Sequence, residues 1–455
     1  MWLKSCSIFV CLLVLTCAQK TCDQVNTTCS CHMVSLGGLS TKLDLSCPSD
    51  RQDHALFTYL DQKVEVICKQ TTFSEDGFKL VPIHPRPTLN FLPNLNETYL
   101  KSYKIRECPL TDDSFDTVWH PMGVDNLEAL VIENTAFPKN KLEDYYFHAI
   151  SNHLVNLSLL GVQLEEIDKE VFALMKNLET LDINQNRLTI SEHQFSHLTN
   201  LLDLRLHNNL IEFIPSTAFK GLKKLVVLHL WSNLITSLNP DTFSDLISVN
   251  SLELSDNKLE YLPEDIFANM KLLRLLNLGR NDISKIPPRL FANNRFLEKV
   301  RIENMKGITS LPDGFFSNYT YLEEVKLMNC SLNNLSEDLF RNSHALRIIH
   351  LQYNDIDSLP TFIFEGLKNV VELKLNGNKI KELSGNLFKD LVNLEILNLG
   401  ENRIKIVPAN MLTGCKHLIE LHLNNNDIDS LALNTLYGLD ELTTINLSFN
   451  NIDFE

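Results

Sequence analysis

From residue 178 onward, apolar and polar positions follow a phrase that returns almost unchanged. The phrase is L-x-x-L-x-L-x-x-N-x-L, starting at Leu178, Leu201, Leu225, Val249, Leu273, Leu297, Leu322, Leu346, Val370, Leu394, Leu418 and Leu442. Successive starts lie 23, 24, 24, 24, 24, 25, 24, 24, 24, 24 and 24 residues apart, and looser copies begin at Leu127 and Leu154. A second series keeps step with it: Phe172, Phe195, Phe219, Phe243, Phe267, Phe291, Phe316, Phe340, Phe364 and Phe388, with Leu412 and Leu436 in the same place afterwards. The L-x-L core has the period of two that sends alternate side chains to one face of a short strand. One such strand cannot bury its apolar face alone, so the copies must stack, each adding a strand to a parallel sheet. The asparagines Asn186, Asn209, Asn233, Asn257, Asn281, Asn354, Asn378, Asn402, Asn426 and Asn450 fall inside that stack. Buried amides need partners, so each should bond the backbone of adjacent coils and form a ladder. The phenylalanines should form an apolar spine on the far side of the coils.

Several motifs that suggest chemistry are absorbed by this register. Cys330 stands at a ladder position and Cys415 where other copies have Leu222 or Leu367, so both read as unpaired structural thiols. His193 and His197 have the spacing of a metal pair, but Phe195 between them belongs to the spine. The runs NDIDSLP at 354–360 and NDIDSLA at 426–432 lack the glycine and terminal glutamate of calcium loops. No GxSxG, phosphate loop or HExxH occurs, which argues against an enzyme and against a metal or other cofactor. At 302–311, IENMKGITSL puts Met305 at a ladder position and adds a residue, so the ladder should break there and the coil bulge.

Repeats of this length and phrase resemble the leucine-rich repeats of extracellular proteins. The resemblance implies an α/β solenoid, a horseshoe with short parallel strands on its concave face. The residues between the inward leucines then project from that face in two columns. One runs Asp182, Arg205, His229, Glu253, Asn277, Arg301 and Lys326, and the other Asn184, His207, Trp231, Ser255, Gly279, Glu303 and Met328. Trp231 is the conspicuous member, since an outward aromatic on a rigid polar sheet is the type that dominates binding hot spots. The candidate ligand-binding set is therefore Asp182, Asn184, Arg205, His207, His229, Trp231, Glu253 and Arg301.

Composition narrows the compartment and the partners. The chain has 455 residues, 44% hydrophobic, and carries a formal charge of −16. With no stripe of clustered Lys and Arg it lacks a phosphate-tracking surface, which argues against nucleic acid and against anionic membranes. The opening MWLKSCSIFVCLLVLTCA has the charge, short apolar core and small residues of a signal peptide, with cleavage before Gln19. It is too short for a comfortable transmembrane span, and no later segment is apolar enough. Export makes disulfides the expectation for the six cysteines between Cys22 and Cys108. Sequons at Asn26, Asn96, Asn156, Asn318, Asn329, Asn334 and Asn446 fit that route. Outward positions from Asp182 through Arg301 carry no sequon, whereas Asn446 continues the first column after His422. The main contact is therefore expected on the N-terminal cap and the repeats up to about residue 305.

CDQVNTTCSC followed by Cys47 is similar to the N-terminal cap of secreted leucine-rich repeat proteins. Together with VEVIC, KIREC, LWSN at 230–233 and LPEDIFANM at 262–270, it resembles the N-terminal half of the insect Toll receptor ectodomain, over essentially all of the mature chain. That resemblance implies pairs Cys22–Cys31 and Cys29–Cys47, which the spacing alone does not choose among the possible pairings. KVEVICK and YLKSYKIRECPL read as degenerate strands, each ending in a cysteine, so a Cys68–Cys108 bridge would tie the early coils together. The division implied is a signal peptide at 1–18, a cysteine-rich cap with degenerate first repeats at 19–120, and regular repeats at 121–455. The resemblance further implies a dimeric cystine-knot cytokine of the Spätzle type as ligand, and receptor self-association. Because the chain ends at NNIDFE in mid-repeat, it is expected to be a receptor fragment or a soluble product. The alternative is a secreted recognition, matrix-adhesion or decoy protein with no signalling role of its own.

Overall fold

The computed structural model describes the backbone at residues 30–35, 41–48, 53–60, 62–70, 99–108, 110, 124–148 and 150–452, with side chains from residue 62 except 68–70 and 433. The chain divides into two compact units, Met1–Ile211 and Glu212–Glu455. The signal peptide, Cys22, Cys29, Asn26 and Asn96 lie outside the described residues, as do the side chains of Cys31, Cys47 and Cys68.

The first unit begins with four strands in an antiparallel series: β1 (Ser30–Ser35), β2 (Thr41–Pro48), β3 (Asp53–Leu60) and β4 (Lys63–Gln70). Cys31 lies opposite Leu45, and Cys47 opposite Ala55. The pairing then changes hand. β4 runs parallel to β5 (Tyr99–Arg106), with Val64 opposite Tyr103. Parallel neighbours need a long return between them, which is the signature of a coil rather than a hairpin. These are the two degenerate strands expected from KVEVICK and YLKSYKIREC. β6 (Asn126–Glu133), β8 (Asn156–Leu160), β10 (Thr180–Asp182) and β11 (Asp203–Arg205) continue in parallel. A small second pairing joins β7 (Lys141–Leu142) to β9 (Glu166–Ile167). Val66, Ile105, Leu130, Leu157, Leu181 and Leu204 face inward, all at 0% exposure. Cys108 is buried and disulfide-bonded, at the end of the strand paired with β4.

The second unit is the regular array. Its ten strands each have three residues: β12 (Val227–His229), β13 (Ser251–Glu253), β14 (Leu275–Asn277), β15 (Lys299–Arg301), β16 (Glu324–Lys326), β17 (Ile348–His350), β18 (Glu372–Lys374), β19 (Ile396–Asn398), β20 (Glu420–His422) and β21 (Thr444–Asn446). Each pairs in parallel with the next, in register at the central apolar residue, as with Leu228 opposite Leu252. Where the sequence suggested an α/β coil, the return segments of this unit are chains of tight turns, with one short 3-10 helix at Leu433–Leu436. A 24-residue coil that must also bury a strand, a ladder asparagine and a spine residue leaves too little length for a stable α-helix. The turns carry the backbone instead, as Ala218 N–H to Pro215 (3.0 Å), Leu222 to Phe219 (3.2 Å) and Leu225 to Leu222 (3.1 Å) show. Over them runs the spine: Phe219, Phe243, Phe267 and Phe291 stack at 6.1, 6.4 and 6.3 Å between ring centroids.

The ladder takes the expected form. Asn257 Nδ2 donates to Leu230 O (3.0 Å), Leu254 O (3.0 Å) and Ser255 O (3.2 Å), while its Oδ1 accepts from Ile235 N–H (3.1 Å). Thus one amide bridges two coils. Cys330 fits the same place, its thiol donating to Ile302 O at 2.9 Å. Met305 is wholly buried at its ladder position and offers no polar group. The strands on either side of it pair without interruption, Val300 opposite Val325, so the extra residue after β15 leaves the sheet register intact. Gly307 fits there because a Cβ would lie 2.9 Å from Ser284.

Candidate functional site: the outward strand faces

Because side chains alternate along each strand, three positions per coil face away from the core, one more than the sequence reading counted. The added column begins each strand: Thr180 and Asp203 in the first unit, then Val227, Ser251, Leu275, Lys299, Glu324, Ile348 and Glu372 in the second. Its signal lay one residue before the first leucine of L-x-L. Strict period two would have found it.

In the first unit, Asp203 changes the electrostatics. Arg205 donates from Nη2 to Asp203 Oδ2 at 2.7 Å and stands 3.8 Å from Asp182. Asp182 accepts from the Asn184 backbone N–H (3.2 Å) and side-chain Nδ2 (2.7 Å). Burial raises the Asp182 pKa, and the bonds from Asn184 and the charge of Arg205 only partly offset it. Asn184 is only 8% exposed, so its amide positions Asp182 and does not present itself as a contact. His207 is half-buried. Nearer the N-terminus, the outward side of β4–β6 holds a second cluster, where Glu133 takes Lys104 at 2.7 Å and Arg106 at 2.9 Å.

In the second unit, His229, Trp231 and Glu253 are all half-buried, so the indole presents part of its surface rather than standing clear of the sheet. Arg301 Nε donates to Glu324 Oε1 at 2.8 Å, and Lys326 Nζ lies 3.4 Å from the same oxygen. Burial alone would raise the Glu324 carboxyl, but Arg301 and Lys326 prevail and hold it below the usual value. Two coils on, Glu372 pairs with His350 (3.2 Å) and with Lys374. The cations read from the sequence are thus anchored by carboxylates of the overlooked column. Among the described residues, no cluster of three or more His, Cys, Asp or Glu could hold a metal ion.

The sequons distribute unevenly over this scaffold. Asn446 stands on β21 opposite His422, as expected, and its Oδ1 accepts from the Ser448 hydroxyl at 2.7 Å. Asn156 opens β8, opposite Ala129 and Thr180, so it too belongs to an outward column. Asn318 and Asn334 are exposed. Asn329 is half-buried, its amide donating to Asn304 Oδ1 at 2.9 Å.

Known proteins share this architecture. The Toll–Spatzle complex, described as a molecular hub in Drosophila development and innate immunity, contains a chain of similar fold with a TM-score of 0.75 at 22% identity. That alignment covers 97% of this chain and 56% of the other. A leucine-rich repeat protein of Leptospira interrogans gives 0.65 at 25% identity, over 78% and 85% of the two chains. Podocan of Mus musculus is 41% identical over 69 residues, 14% of this chain and 11% of podocan. The chain therefore spans little more than half the length of the Toll chain and a small part of podocan. The family described as leucine rich repeat matches residues 152–211, 199–259, 247–304, 344–404 and 392–452. With inward leucines, ladder and spine all in register, the chain belongs to the leucine-rich repeat family.

Proposed function

We propose that the protein is the extracellular ligand-binding part of a Toll-like receptor of innate immunity or development, and that it binds a dimeric cystine-knot cytokine of the Spätzle type. The observation that carries this is the division of labour within each strand. Inward positions hold leucine or its equivalents coil after coil, while outward positions change type freely on the same backbone. Such a surface suits recognition of a protein and offers no constellation for catalysis. The antiparallel cap strands leading into parallel coils, and the coverage of nearly all of this chain by the Toll alignment, support the choice of receptor class. On this proposal, Asp182, Arg205 and His207 contribute from the first unit, and His229, Trp231, Glu253 and Arg301 from the second.

Trp231 is the residue to test. Its indole stands at an outward position of a rigid coil, so Trp231→Ala should weaken cytokine binding by at least about 2 kcal/mol, roughly thirtyfold, with folding nearly intact. Calorimetric titration of both chains with a purified cytokine of this class reads the difference. Equal affinities would remove Trp231 from the contact. No binding by the wild type would sink the cytokine assignment and leave a secreted recognition or matrix-adhesion protein.

A further inference from the structure

The second unit carries a built slot away from the strand faces. Phe213, Ser237 and Tyr261 fall at one place on three successive coils, 24 residues apart. The same place in later coils holds Lys285, Thr309, Asn334, Ser358, Glu382, Ile406 and Ser430, so the coil itself does not require an aromatic there. Yet Phe213 is 59% exposed and Tyr261 57%, each holding a large apolar ring in water. Phe213 and Tyr261, with Ser237, Leu238, Asn239, Pro240 and Pro263, line an open surface pocket of about 400 Å³. Two coil steps separate the walls, about 10 Å at the spacing of a sheet, or twice the centroid distance of a stacked pair. That spacing is of the size that one further ring would occupy. Between the two aromatics in coil order stands only the small side chain of Ser237, and the prolines Pro240 and Pro263 restrict the backbone of the lining.

The surroundings specify the charge of the occupant. Across 212–218, 234–242 and 258–266 there are five carboxylates, Glu212, Asp241, Glu260, Glu264 and Asp265, against one lysine, Lys258. All five are exposed, and four adjoin a lining residue in the chain. An apolar slot inside an acidic rim selects an apolar side chain bracketed by cations.

We propose that this slot is a docking site for a basic segment of a partner protein, which inserts one aromatic side chain between Phe213 and Tyr261. The site is separate from the strand faces and stands independently of the cytokine assignment.

The probe is the capped peptide Lys-Arg-Trp-Arg-Lys, with Lys-Arg-Ala-Arg-Lys and Glu-Asp-Trp-Asp-Glu as controls, each titrated into the full chain by saturation-transfer NMR. The tryptophan peptide should bind, with its indole protons receiving the most saturation, and both controls should bind at least about tenfold more weakly. Ser237→Trp fills the gap from within and should abolish binding, while Phe213→Ala and Tyr261→Ala each weaken it about fivefold or more. Tyr437→Ala, an 86% exposed aromatic outside the slot, should leave it unchanged. Thermal melts of all four variants verify folding, and because Phe213 and Tyr261 face water their loss should barely move the melt. The proposal is overturned if the alanine peptide binds as well as the tryptophan peptide, if Ser237→Trp or both wall variants bind normally, or if no peptide binds at millimolar concentration.

Discussion

Asn257 shows how a single amide can serve two coils. Replacing it with leucine keeps the volume but leaves the Ile235 N–H without its acceptor and the Leu230 carbonyl with only the Asn233 amide, at an expected cost of about 1–3 kcal/mol. An unchanged denaturation midpoint for Asn257→Leu would show that the amide does not bridge the coils energetically. This role was legible because asparagine recurs at a fixed offset from leucine, and the same offset identified Cys330 as its substitute. Burial pushes the Cys330 thiol up to about 11, in keeping with a structural group rather than a nucleophile. Asn294 was not legible. It sits wholly buried where neighbouring coils have Leu246 and Met270, and it donates to Phe267 O (2.9 Å) and Met270 O (2.8 Å). The next coils answer with Tyr319, bonded to Phe291 O, and Ser343, bonded to Phe316 O. This second polar run follows the spine through three coils. Three different residue types filled one place there, so no recurring letter marked it.

At the scale of the strand, charge pairs form along and across coils. Sequence columns displayed the cations but hid their partners, because Glu324 and Glu372 lie outside the L-x-L phrase. Their acid–base behaviour gives a signed expectation. Burial pushes His350 below the ordinary value of 6.5, and the neighbouring Glu372 only partly resists. The folded chain therefore binds this proton more weakly than the unfolded chain does. The stability involved is present above pH 6.5 and is lost as pH falls through the lowered value. Glu324 and Glu372 are also held low, so their contribution is present above 4.5 and lost below it. Between pH 6.5 and 4.5 the histidine acts ahead of the glutamates. Wild-type melting temperature should fall across that window more steeply than that of His350→Gln. Parallel slopes would mean that His350 is already solvated in the folded state.

On the scale of the whole molecule, the reading from sequence was strongest where the chain repeats itself. Ten successive strands of the second unit fall where the phrase put them. The N-terminal cap occurs once, so β1, β2 and β3 left no period to read, and only the cysteine spacing marked the region. Sequons add a property that neither coil nor strand reveals, namely how much of the surface sugar could cover. Glycopeptide mass spectrometry of the secreted chain should find Asn318 and Asn334 more fully occupied than Asn329, whose amide already donates to Asn304. Full occupancy at Asn329 would require that coil to open before the sugar is attached.

The three-residue strands of the second unit have one more consequence, which concerns pitch. Rows of outward side chains repeat about every 4.8 Å along the array, whereas an extended polypeptide presents same-side residues about every 6.7 Å. The two spacings coincide only after about seven coils and ten residues. An unfolded strand laid across the face would therefore meet it in step at isolated points and miss it between them. A folded partner has no such constraint, because its contacts come from separate parts of its chain. The array thus discriminates by commensurability before any single side chain is compared, favouring shapes over linear peptides.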